Sequence, residues 1–217
     1  MTIPDNVRRL TNEIAPVQII GVTKYATDAQ TQAVIDAGIS LLGESRVKDA
    51  EQKINHFTTP GLHWHMIGHL QTNKVKKAVA LFDCIQSADS LKLLQKIDDS
   101  AREQSKMMPV LLQVNVGKEP QKSGFLEDDL LAQIEPVFSL SNLKIDGIMV
   151  IAPDTKDEKM LRDCFQKARA IFKKLKPYSP SFQTLSMGMS QDYRLAIEEG
   201  ATMVRIGSLL FQEESTT

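Results

Sequence analysis

FQTLSMGMSQDYRLAIEEGATMVRIGS, residues 182–208, decides the fold. Two short apolar runs, FQTLSM (182–187) and TMVRIG (202–207), flank SQDYRLAIEEG (190–200), which reads as helical. Strand, helix and strand in that order make the unit of a parallel sheet covered by helices. The same alternation extends outward through the chain. PVQIIGV (16–22), ISLLGE (39–44), LHWHMIG (62–68), LFDCIQS (81–87), PVLLQVNV (109–116) and IDGIMVIA (145–152) bring the runs to eight. They are rich in Val, Ile and Leu, as strands buried on both faces require.

The intervening stretches carry helical signals. TDAQTQAVIDAG (27–38) opens with Thr27 and Gln30 in capping-box spacing and closes on Gly38. In SLKLLQKIDDSAREQSK (90–106), Leu91, Leu94, Ile97 and Ala101 share one face. DEKMLRDCFQKARAIFKKLKPYSP (157–180) repeats that pattern until two prolines stop it. RVKDAEQKINHF (46–57), LQTNKVKKAVAL (70–81) and LEDDLLAQIEPVF (126–138) complete the set.

Eight evenly spaced strand–helix units predict an α/β fold, a single (β/α)8 TIM barrel, whose usual size is about 250 residues and whose lower limit is about 200. The chain has 217 residues, so the barrel is expected to use residues 1–217 as one domain, with no room for a second. After the last strand only LLFQEESTT (209–217) remains, too short for an ordinary closing helix. The stretch NVRRLTNEIA (6–15), ahead of strand one, is expected to supply the missing outer helix.

Composition narrows the function classes. The 42% hydrophobic and 24% charged residues are ordinary globular values. Twenty-six basic against 27 acidic residues give a net charge of −1, so no global field draws the chain to nucleic acid or an anionic membrane. The two cysteines, Cys84 and Cys164, lie far apart, have no metal-site spacing and read as small buried hydrophobes. The polar start MTIPDNVRRL and the lack of a long apolar run predict a soluble cytoplasmic protein.

In a β/α barrel, chemistry sits at the C-terminal ends of the strands. The first strand ends IIGVTKYA, which puts Lys24 at the mouth. Partial desolvation there would prepare its amine to form a Schiff base with a carbonyl, whereas the bland reading is a surface lysine just past a strand. Barrel phosphate sites are often built after strands seven and eight. Strand seven runs into LSMGMSQD, where Gly188 permits close backbone approach and Ser190 is placed to cap the next helix. Strand eight ends VRIGS, adding Gly207 and Ser208 as a second donor-rich turn. Arg205 shares a side of that strand with Gly207, with Val204 and Ile206 on the other. A buried guanidinium needs an acceptor: an unprotonated ring nitrogen and a carboxylate such as Glu44 are equally suitable. In HWHMIGH (63–69), His63 and His65 share a side, but no third metal ligand is evident, so no metal is expected. His65 reads instead as a hydrogen-bonded lumen residue and Trp64 as packing outward on the helices. Lys74, Lys76 and Lys77 read as a solvated helix face, the alternative being a basic rim that attracts a phosphorylated ligand.

GVTKYA, LLGESRV, HWHMIGHLQTNK, QVNVGKEPQKSGF, DGIMVIAP and LSMGMSQDYRLAIEEGATMVRIGSLLF together resemble the pyridoxal phosphate homeostasis proteins, the YggS/PROSC family, from about residue 16 to residue 211. The resemblance implies a barrel of the alanine racemase N-terminal-domain type, PLP fold type III, carrying pyridoxal 5′-phosphate (PLP). By position in the family motifs, Lys24 matches the Schiff-base lysine, Ser190, Gly207 and Ser208 the phosphate-binding positions, and Arg205 the arginine facing the pyridine nitrogen. Two positions depart from the pattern. Ser45 stands where the family usually has asparagine, which weakens any contact made there, and Ser208 stands where threonine is common, which keeps the hydroxyl.

The resemblance further implies a carrier or buffer in intracellular vitamin B6 homeostasis, monomeric, with apo PLP enzymes as recipients. A cation at the pyridine nitrogen disfavours its protonation and weakens the ring as an electron sink. The resemblance implies that racemases with a similar barrel also need an opposite-face tyrosine from a further domain and partner subunit. Of Tyr25, Tyr178 and Tyr193, only Tyr25 is expected near the mouth, pointing away from Lys24. The alternative is a PLP-dependent amino-acid racemase or a Schiff-base enzyme using Lys24.

Overall fold

The computed structural model describes residues 2–212. Its eight strands are β1 (Gln18–Val22), β2 (Leu41–Glu44), β3 (His63–Met66), β4 (Cys84–Ala88), β5 (Met108–Val114), β6 (Leu143–Val150), β7 (Thr184–Met189) and β8 (Met203–Ile206). They pair in sequence order, all parallel, and β8 closes on β1 with Ile20 opposite Arg205 and Gly21 opposite Ile206. All eight expected apolar runs are strands, within a few residues of the expected ends.

Helices cover the outside: α1 (Ile3–Ile14), α2 (Asp28–Asp36), α3 (Val47–His56), α4 (Val75–Leu81), α5 (Leu91–Glu103), α6 (Glu127–Ala132), α7 (Ile134–Phe138), α8 (Glu158–Leu175), α9 (Tyr193–Glu198) and α10 (Ser208–Phe211). Thr27 and Gln30 form the expected reciprocal capping box of α2. Helix α1 packs against α2 and α10. Asn6 Nδ2 fastens it there by donating to the carbonyls of Leu210 and Gln212, so α1 does supply the missing outer helix. The stretch 126–138 differs from expectation in being two helices, broken at Gln133 (φ −109°, ψ 16°). Pro136 explains the break: its ring clashes with the carbonyl four residues earlier, Ala132, but is tolerated in the first turn of a new helix.

Outward-facing strand residues such as Ile20's neighbours Ile19, Val204 and Ile206 join Trp64 and the helices in one large core between the layers. Inside the barrel, Cys84, Leu111 and Met149 form a separate apolar plug. Both cysteines are buried and unpaired, and burial pushes the Cys164 thiol up to about 11, which makes it inert as a nucleophile. Among the described residues, no helix is long and apolar enough to cross a membrane.

Candidate functional site

The strand ends on the β1, β6, β7 and β8 side enclose a cavity of about 620 Å³. Lys24, Ser190, Arg205, Gly207 and Ser208 all line it, as does Ser45 at the end of β2. The volume falls in the range of roughly 300–1,000 Å³ that suits a small-molecule ligand.

Local sequence places each group. Gly188 adopts φ +93°, and a Cβ there would lie 2.5 Å from the Ala196 Cβ. Only glycine lets β7 turn and α9 approach this closely. Two residues on, Ser190 does something other than the expected cap. Its Oγ accepts the N–H of Gly207 at 3.2 Å and of Leu209 at 3.5 Å, so it ties the end of β7 to the turn after β8. Helix α9 begins only at Tyr193, which leaves Ser190 too early in the chain to reach the first-turn N–H groups. The cap residue Asp192 instead folds its Oδ1 back onto the Met189 N–H at 2.6 Å. With two donors on its oxygen, Ser190 keeps its own proton to donate. The Gln191 and Ser208 N–H groups have no acceptor among the described residues. A Cβ on Gly207 would meet nothing closer than Val22 at 3.5 Å, so this glycine relieves no clash but leaves the cavity floor open.

Arg205 is buried, at 4% exposure, and points to the lumen side with Gly207. Nη1 donates to the Ser186 carbonyl and hydroxyl, both at 2.9 Å, and Nη2 to the Val150 carbonyl at 2.8 Å. The carboxylate pairing with Glu44 is not made. Glu44 Oε1 accepts the Thr23 hydroxyl at 2.7 Å and the Lys53 ammonium at 3.0 Å, and Lys53 also donates to the Thr23 carbonyl. A guanidinium has five N–H donors, and three bonds leave Nε–H and one Nη2–H without a protein acceptor among the described residues. Burial lowers Arg205 to about 10, with the nearby Asp192 carboxylate partly opposing the shift.

Lys24 contradicts one expectation. It is exposed at the mouth, and its ammonium lies 5.0 Å from the ring centroid of Tyr25, itself 88% exposed. The loop after β1 leaves the sheet at Thr23, so neither side chain is covered, and Tyr25 does not point away from Lys24. Tyr178 sits on the outside, stacked on Phe138, while the Tyr193 hydroxyl donates to Glu13 at 2.8 Å.

His65 and His63 part company although they share a side of β3. His63 is exposed at the lower end, whereas His65 is buried and bonded to Gln86 at 2.9 Å. Lys76 and Lys77 pair with Glu103 and Glu51 on the outer helices, leaving Lys74 as the member of that cluster that borders the adjoining cleft with Lys24. Sequence reading missed Asp192 and Lys122, which line the cavity, and Ser186 and Gln86 beneath it. Polar residues inside otherwise apolar strands were the available signal for the last two, because a buried polar group demands a partner.

Comparison with known proteins agrees with this fold. The family model described as alanine racemase, N-terminal domain, matches residues 2–215. A pyridoxal phosphate homeostasis protein of Aquifex aeolicus is 36% identical over 197 residues, covering 90% of this chain and 86% of that protein. One from Vibrio alginolyticus is 32% identical, with 97% of each chain covered. PipY of Synechococcus elongatus PCC7942, solved with PLP bound, superposes with a TM-score of 0.91 at 36% identity, covering 97% of this chain and 100% of that one. The alanine racemase of Clostridium difficile 630 shares the fold alone, at a TM-score of 0.81 and 16% identity, with 58% of its chain matched. On the closed barrel and these near full-length matches, the chain belongs to the pyridoxal phosphate homeostasis protein family, built on the alanine racemase N-terminal domain.

Proposed function

We propose that this protein binds PLP in the cavity as a Schiff base on Lys24 and serves PLP homeostasis as a carrier or buffer, without robust turnover of its own. One observation carries the reading: Lys24, Arg205, Ser190, Gly207 and Ser208, drawn from β1, β7 and β8, line a single cavity.

The residues fit the group. The bridged turns after β7 and β8 offer the Ser190 and Ser208 hydroxyls and two unshared N–H groups to a phosphate. Arg205 presents unshared donors to a ring nitrogen, which must accept rather than donate. When bound, the group supplies an aldehyde with which an amine condenses. Lys24 is the amine at the mouth, and its exposure leaves it open to water and to exchange. The buried Arg205 cation disfavours protonation of whatever nitrogen it faces, so the site is poor at stabilising a carbanion. Family membership supports homeostasis as the role, and apo PLP enzymes in the cytoplasm are the natural recipients of a monomeric carrier.

Purified protein mixed with PLP should develop a visible Schiff-base absorption band that Lys24→Ala lacks. An unchanged band in Lys24→Ala would remove Lys24 from its role. Racemisation of alanine or another amino acid faster than about 1 s⁻¹, the low end of ordinary enzymes, would overturn the carrier reading in favour of catalysis.

A further inference from the structure

Directly beneath the cavity, four side chains form one hydrogen-bonded chain across the barrel lumen. Arg205 Nη1 donates to Ser186 Oγ at 2.9 Å, and Ser186 Oγ donates to Gln86 Oε1 at 2.8 Å. Gln86 Nε2 then donates to His65 Nδ1 at 2.9 Å and to the Met203 sulfur at 3.3 Å. The direction of every bond is dictated from one end. A guanidinium can only donate, so Ser186 accepts and must pass its proton onward. Gln86 then presents its carbonyl to Ser186 and its amide to a bare imidazole nitrogen. Gln86 and Ser186 are fully buried, and His65 and Arg205 nearly so.

We propose that Ser186, Gln86 and His65 are positioning residues that hold the Arg205 guanidinium in one orientation, with its unshared donors turned to the cavity. This rests on the assignment of Arg205 to the PLP ring. The chain matters because, among the described residues, no carboxylate is hydrogen-bonded to Arg205 to fix its rotamer. Neutral acceptors hold it from below, which preserves its full charge for the ligand. The strand origins spread this support: Ser186 on β7 touches Arg205 directly, Gln86 on β4 holds Ser186 from across the barrel, and His65 on β3 fixes Gln86.

The test is a double-mutant cycle on release of PLP from the loaded protein, read by loss of visible absorbance after dilution. Ser186→Ala removes one hydroxyl and should speed release about tenfold, with Gln86→Leu, of similar volume, giving a smaller change in the same direction. In an Arg205→Met background the Ser186→Ala effect should vanish, because Ser186 acts only through Arg205. An equal tenfold effect in both backgrounds would mean a merely structural role and would overturn the inference. So would a silent Ser186→Ala beside a strong Arg205→Met effect. Release unaltered by Arg205→Met would overturn the Arg205 assignment itself, and the inference with it.

Discussion

Glu44 and Lys53 show how the mouth of the barrel is held at the scale of single residues. Their ion pair is almost wholly buried and together clasps both the hydroxyl and the carbonyl of Thr23, the residue before Lys24. Removing one partner strands the other charge in the interior. Lys53→Met should therefore cost about 3–5 kcal/mol in a denaturant titration, and adding Glu44→Leu should recover part of that loss. His65 supplies a pH dependence. Burial lowers its pKa to about 4 from an ordinary value of 6.5, so the unfolded chain binds its proton first as pH falls. Stability from the neutral ring is full above pH 6.5 and is lost between there and about pH 4, amounting to about 3 kcal/mol. Unfolding free energy measured across that window should fall less steeply in His65→Gln than in the parent chain.

Among the elements, the strands were legible and their cross-links were not. Parallel strands buried on both faces must be apolar runs, and such runs stand out in any sequence. The break between α6 and α7 was missed: Pro136 is its signal, but a continuous helical pattern over 126–138 masked it. Ser190 marks the limit. Its place at the head of the helical stretch 190–200 suggested a cap, whereas the helix starts only at Tyr193 and its partners come from the neighbouring turn, 17 and 19 residues on. Such a contact is set by barrel closure, which local sequence does not encode. Arg205 is similar: alternation gave its side, but only the folded lumen chose Ser186 and Val150 over Glu44 as acceptors. Glycine 188 is where the β7–α9 connection is most exposed to mutation. Gly188→Ala combines left-handed strain with a clash at Ala196, and should lower stability by roughly 2–4 kcal/mol. In a thermal melt, adding Ala196→Gly should relieve the clash, less about 0.5–1 kcal/mol for a glycine inside α9, and leave the strain.

The whole molecule is a closed barrel whose candidate site residues gather on one rim, at the ends of β1, β7 and β8. Closure makes β1 and β8 neighbours, and that alone brings Lys24 near Arg205, 181 positions away by their numbering. Covalent attachment of PLP to Lys24 on this rim is the proposal on which the function rests. Borohydride reduction of the PLP-loaded protein, followed by peptide mapping, tests it most directly. The expected product is a single pyridoxyl-modified peptide carrying Lys24; modification confined to another lysine, or none at all, would rule that attachment out.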